Sequence, residues 1–200
     1  MSDFAIRKAR PEDRDAIIDI CVRTADKGAD GRYRFSRADY PALLWALPYF
    51  TLEAEHALVL TKKKKVLGYA VGTADTAAFA RKLEHHWWPR VREDLSANQP
   101  VTADDRYVFA YIEKPEHVPA EIAKRYPAHL HINLLPEAQG GGLGSQLLNS
   151  LLALLSKAGA TGEHLGVNHE NEAVTAFYRK LGFDEIARLP SIIMAKPLKA

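Results

Sequence analysis

The chain has 200 residues, is 47% hydrophobic and carries a formal net charge of +2. That much apolar material can close a sizeable core and excludes a disordered chain, while the balanced charge gives no reason to expect a nucleic-acid partner. The single cysteine, Cys21, excludes an intramolecular disulfide and any multi-cysteine metal site, and it sits in an apolar helical pattern that suits a buried structural thiol.

The opening residues carry charges throughout and have no apolar signal region, and no run of about 18 apolar residues follows anywhere, so no membrane span and a soluble, cytoplasmic protein are expected. Residues 4–9 alternate apolar and polar and predict a strand. In the helix that follows, Pro11 suits the first turn, and Ile17, Ile18 and Cys21 recur on one face. Residues 26–50 begin with turn formers and end rich in aromatics, with Pro41 and Pro48 among them. A loop with short helices at a binding surface is expected there.

The apolar runs 56–61 and 66–74 flank KKKK and read as a hairpin. The lysines are either a solvated turn, the preferred reading, or a contact for an acidic partner. Residues 75–97 read as helical, with EHHWW (84–88) as aromatic packing. Residues 98–127 read as irregular, with an edge strand over 106–113. One domain is expected over 1–200, with 75–127 an insertion that forms a lid or a substrate-side wall.

Residues 129–135 predict a strand. GLGSQLLNSLLALLSKAGA has leucines at three- and four-residue spacing and Gly159 as a stop, so it predicts a long amphipathic helix. A short strand at 163–167, a helix from Asn171 to Gly182, and strands at 183–189 and 191–198 complete the order.

Between the strand at 129–135 and the long helix lies PEAQGGGLGS. A strand, a glycine-rich turn and a helix start together make an anion site. The first helical N–H groups lack partners, the helix dipole favours negative charge by about 0.3–1 kcal/mol, and glycines let phosphate oxygens approach. A nucleoside-triphosphate loop is excluded because Ser145 and Gln146, not lysine and serine, follow Gly144. The dinucleotide fingerprint fails because position 147 is leucine.

The turn reads Q-x-x-G-x-G at Gln139, Gly142 and Gly144. About 30 residues later NEAVTAFYRKLGF places Asn171 seven positions before Tyr178. With these two motifs in this order the sequence resembles the GNAT superfamily of acyl-CoA-dependent N-acetyltransferases, closely over 129–187 and loosely at IRKARPEDRDAI. YPAHLHINLLPEAQGGGLG and DTAAFARKLEHHWWPRVRE are more narrowly similar to bacterial acetyltransferase-like proteins related to the C-terminal acetyltransferase-like domain of O-GlcNAc hydrolases.

The resemblance implies an α/β protein with a GNAT fold: a central mixed sheet flanked by helices, with a helical insertion before the fourth strand. It implies acetyl-CoA as cofactor. Amides of Gln139, Gly140, Gly141, Gly142, Leu143, Gly144 and Ser145 would hold the diphosphate. Backbone near Asn133, Leu134 and Leu135 would pair with the pantetheine arm, and the next strand would splay away to admit it. Tyr178 would protonate the leaving thiolate, or else merely pack with Phe177. Asn171 would lie near the arm, or cap its helix.

For a base, period-two alternation puts His129 and His131 on one face of the strand with Asn133. Glu113 and Glu137 are weaker candidates. Two histidines without further ligand spacing do not make a metal site. Trp45, Tyr49, Trp87 and Trp88 are candidates for the acceptor pocket, and Asp26, Asp30 or Glu113 for attracting a cation. The expected function is acetyl transfer from acetyl-CoA to a primary amine of a small molecule or peptide. The alternative is a CoA-binding module with weak or no catalysis. Partners are the cofactor and an amine, with no nucleic acid and no membrane, in a monomer or homodimer.

Overall fold

The computed structural model describes residues 3–198. The chain runs β1 (Phe4–Lys8), α1 (Arg14–Arg23), α2 (Tyr40–Trp45), α3 (Leu47–Leu52), β2 (Ala57–Lys62), β3 (Lys65–Thr73), α4 (Thr76–Lys82), α5 (Trp88–Leu95), α6 (Ala103–Glu113), α7 (Ala120–Arg125) and β4 (Ala128–Leu134). It continues with α8 (Leu143–Lys157), β5 (Gly162–Val167), α9 (Thr175–Lys180), β6 (Asp184–Arg188) and β7 (Ile192–Pro197). The strands form a seven-stranded mixed sheet in the order β1-β2-β3-β4-β5-β7-β6. Every neighbouring pair is antiparallel except β4 and β5, which are parallel.

Side-chain size on β3 decides which helices lie where. Gly68, Ala70 and Gly72 share one face, and a Cβ at Gly72 would meet the His129 carbonyl at 2.8 Å and Leu155 of α8 at 3.4 Å. That bare face lets α8 press its buried stripe of Leu147, Leu148, Leu151, Leu152 and Leu155 onto the sheet. The helix stops at Gly159, whose φ of +96° only glycine adopts without strain. On the alternate face Tyr69 reaches the Cys21 thiol of α1, and Val71 and Thr73 stand opposite His131 and His129. Helices α1–α3 therefore cover the face opposite to α8. Cys21 is 1% exposed, and burial pushes its thiol up to about 12, as suits a structural residue.

Two expected elements differ. Residues 106–113 are not an edge strand but the body of α6. Val108 and Ile112 are its buried positions, a four-residue spacing that fits a helix and not a strand. Thr102 and Asp105 close a reciprocal capping box at its start. Buried Asp105 also accepts the amides of Ser36, Val101 and Thr102 at 2.9–3.0 Å, tying α6 to the segment before α2. The helix expected from Asn171 begins only at Thr175. Residues 169–174 form a 3₁₀ stretch in which Asn171 is non-helical, so Asn171 does not cap α9.

Candidate active site

Only Ala128 and His129 of β4 pair with β5, opposite Glu163 and His164, although both strands continue. Beyond that rung they part, and β4 presents an unpaired edge to the gap. The Leu135 N–H donates to the Leu67 carbonyl at 2.8 Å, which fixes the parity of the strand. Leu135 and Asn133 direct their main-chain groups towards β3, so the groups facing the gap belong to Ile132 and Leu134. Of the three expected positions, Leu134 alone keeps its main chain on the open edge; Ile132, two residues back, had no motif to mark it. The Leu134 carbonyl accepts from Gln139 Nε2 at 3.0 Å, so the motif glutamine is anchored at the mouth of the gap.

The turn after β4 is built by Gly140, Gly141 and Gly142 at φ of +79°, +56° and +76°. A Cβ at Gly140 or Gly141 would meet nothing within 4 Å, so left-handed backbone and not crowding demands glycine there. The Leu143 and Gln146 amides bond back to the carbonyls of Gly140 and Gly142. Among the described residues the amides of Gly141, Gly142, Gly144 and Ser145 have no protein acceptor. These are the donors that a helix start leaves for an anion.

Tyr178 of α9 is 9% exposed and packs edge-on to Phe177 and Phe183, with ring centroids 5.2 and 5.6 Å away. Burial raises its phenol above the ordinary range, and the nearby Glu163 adds to this. Glu163 carried no sequence signal. It lies opposite Ala128, one rung before the strands part, is fully buried, and neither carboxylate oxygen has a hydrogen-bond partner. Burial pushes its carboxyl well above the usual range, against the opposing pull of Lys196. The Asn171 N–H donates to the Asn168 carbonyl at 2.8 Å.

His129 and His131 do share a face of β4, and hydrogen counting settles the tautomer of His129. The Thr76 hydroxyl gives its one proton to the Pro127 carbonyl at 2.7 Å, so His129 Nδ1–H must donate to Thr76 Oγ1 at 2.9 Å. The basic nitrogen of His129 is then Nε2. Around His131, Asn133 Nδ2 donates to the Tyr69 hydroxyl at 3.2 Å, and that hydroxyl shares a hydrogen bond with His131 Nδ1 at 3.1 Å. Burial lowers His129 to about 3, helped by His164, and lowers His131 to about 4. Both rings are neutral near pH 7.

Trp45 stacks on His131 (centroids 6.3 Å, planes 20° apart) and continues through Tyr107 and Tyr111 of α6 as an aromatic wall. The other expected pocket residues are engaged elsewhere. Tyr49 is buried against Phe79 and His129, Trp87 Nε1 donates to the Leu43 carbonyl, and Trp88 is 2% exposed in the core. Asp26 pairs with Arg34, Asp30 with Arg32 and Glu137 with Lys65, while Glu113 is exposed at the end of α6. Elsewhere, Glu53, Glu55 and His56 bring possible ligand atoms within 4.8 Å of one another. Lys82 Nζ already lies 2.6 Å from Glu53, so the one buried carboxylate of the cluster is met by an ion pair.

The model of the acetyltransferase (GNAT) family matches residues 21–183, a span that includes the turn, the gap and α9. The chain belongs to that family. Against this GNAT chain, the solved structure named SsHAT superposes with a TM-score of 0.90 at 38% identity, covering 98% of this chain and 99% of that one. A structure of yncA from Salmonella typhimurium, with its cofactor acetyl-CoA, shares the fold at a TM-score of 0.59 and 18% identity, over 98% of this chain and 95% of that one. Protein O-GlcNAcase of Mus musculus is 22% identical over 189 residues, 93% of this chain. The GNAT chain spans about a fifth (20%) of that relative's length. No helix among the described residues is long and apolar enough to cross a membrane.

Proposed function

We propose that this GNAT chain binds acetyl-CoA in the gap between β4 and β5 and transfers its acetyl group to a primary amine of a small molecule or peptide. The observation that carries the reading is the pairing of an unpaired β4 edge with a turn whose amides lack acceptors. The donor set fits the group. A diphosphate needs several converging N–H donors without bulk, and residues 140–145 offer them with open space around Gly140 and Gly141. An amide-bearing arm needs a free strand edge, which Ile132 and Leu134 provide.

Bound there, acetyl-CoA would supply a thioester-activated acetyl group. The Leu134 and Ile132 main chain would orient it, and Phe177, packed near Gly144 and Leu134, would shield the mouth from water. Tyr178 holds its phenolic proton at every ordinary pH, because burial disfavours the phenolate, and can deliver it from Oη to a departing thiolate. His129 and His131 bind protons too weakly to strip an alkylammonium, whose pKa is about 10. They serve as hydrogen-bond partners for an amine that arrives neutral along the Trp45 wall.

That lack of a strong base near the gap, among the described residues, also favours the second reading, a CoA-binding module with little catalysis. Calorimetry with acetyl-CoA tests binding, and thiol release over an amine panel separates the two readings. Tyr178→Phe should lower turnover by about 10²–10⁴-fold with cofactor affinity nearly unchanged. Equal turnover by the variant would remove Tyr178 from the chemistry.

A further inference from the structure

The turn between β2 and β3 carries four consecutive like charges. Lys62, Lys63, Lys64 and Lys65 join β2 to β3, all four are exposed, and Lys63 adopts φ of +55°. Glycine or asparagine holds that conformation with less strain, so lysine here is not explained by the turn. Its neighbours are also the worst electrostatic company for it, since adjacent ammonium groups repel.

Partners account for only half of the charge. Lys65 Nζ lies 3.0 Å from Glu137, and Lys62 Nζ sits 5.1 Å over the Phe4 ring. Among the described residues the side chains of Lys63 and Lys64 make no ion pair or hydrogen bond, although the Lys63 backbone N–H donates to the Asp3 carbonyl at 3.1 Å. The four lysines, Leu67 and Glu137 line an open concavity of about 500 Å³, a volume suited to part of a nucleotide. Its position matters most. Glu137 stands two residues before Gln139, and Leu67 accepts the Leu135 amide, so the concavity adjoins the turn whose amides are open.

We infer that the lysine turn is a subsite for the 3′-phosphate of the coenzyme's adenosine moiety, a phosphomonoester lying beyond the diphosphate held by residues 139–145. The inference rests on the coenzyme reading above. A dianionic phosphate placed between Lys63 and Lys64 would relieve their mutual repulsion and meet two mobile donors. The Lys65–Glu137 pair fixes the turn against the diphosphate loop. Lysine suits this task because its ammonium is a point charge on a flexible stem and can follow a solvent-facing phosphate.

The test is calorimetry of the full chain with coenzyme A and with 3′-dephospho-coenzyme A, in the wild type and in a Lys63→Gly/Lys64→Gln double variant. Glycine at 63 keeps the left-handed turn, so the hairpin is preserved, and circular dichroism checks it. Two exposed charge contacts predict that the wild type prefers coenzyme A by about tenfold at low salt. The preference should shrink as ionic strength rises. The double variant should lose the preference while binding the dephospho form as the wild type does. Equal wild-type affinity for the two forms, or a preference that survives in the double variant, would overturn the lysine subsite and leave the coenzyme reading intact. Binding of neither form would overturn the coenzyme reading itself, and the subsite with it.

Discussion

Glu163→Gln should change how the stability of this protein depends on pH. The wild-type carboxyl is fully buried, has no hydrogen-bond partner, and has its pKa raised well above the ordinary value by that burial. The native state therefore keeps a proton that the unfolded chain, with an ordinary glutamate pKa of about 4.3, releases. Protons bound by the native state exceed those bound by the unfolded state, so the native state loses ground as pH rises. Glu163's contribution is full below the unfolded pKa and is eroded by about 1.4 kcal/mol per pH unit above it, until the buried group itself ionises.

Glutamine has the same shape and no titration. As pH rises above the ordinary glutamate range the variant should gain on the wild type, with a slope of up to about 1.4 kcal/mol per pH unit for as long as the native carboxyl keeps its proton. The low-pKa histidines are common to both proteins and cancel in the difference. The fixed offset between a buried amide and a buried acid does not matter, because the slope is what is read. Urea unfolding at pH 5, 6, 7 and 8 measures it. Parallel stability profiles for the two proteins would show that Glu163 titrates normally, and the account of the gap apex as a dry, unpartnered site would fail.

The histidines act in the opposite sense. His129 and His131 refuse protons until about pH 3 and 4, whereas the unfolded chain accepts them near 6.5, so stability is full above that value and is lost on acidification. Melts between pH 6.5 and 4.5 should show the loss, at most about 5 kcal/mol from the pair because both rings keep some solvent access, and His131→Gln should remove about half of it. Asp105→Ala should destabilise by about 4 kcal/mol, because it strands three amides that a buried carboxylate now accepts. Burial alone would raise that carboxyl, but the amides of Thr102, Ser36 and Val101 outweigh it and hold it at about 2. Chemical denaturation reads the loss. Gly141→Ala should cost about 1–2 kcal/mol and weaken acetyl-CoA binding, because its φ is +56° in open space. Gly144→Ala, whose Cβ would make only ordinary contact with Phe177 at 3.6 Å, should leave both stability and binding intact. Calorimetry and melts on the two variants would show the contrast.

Much of this protein was legible because it is local. The three glycines before a leucine stripe specify left-handed turn and helix start within a dozen residues, and the alternation HLHIN puts His129, His131 and Asn133 on one face of whatever sheet they join. The edge strand expected at 106–113 failed because its aromatic and β-branched residues satisfy strand preference, while the deciding partners lie elsewhere: Ser36 is 69 residues away from Asp105. Which main-chain groups face the gap depends on how β4 pairs with β3, so Ile132 could not be chosen over Asn133 and Leu135 beforehand.

Proton affinity is likewise a property of the assembled interior. Sequence alone names the imidazoles, but the Thr76 hydroxyl decides which nitrogen of His129 is free, and burial decides how weakly both rings bind a proton. Glu163 looks like any strand glutamate until β4 and β5 part beside it. Composition and periodicity thus determined the elements and the anion-binding turn, because those depend on neighbours along the chain. The gap, the desolvation within it and the chemistry left to its side chains were decided by packing between segments far apart in sequence.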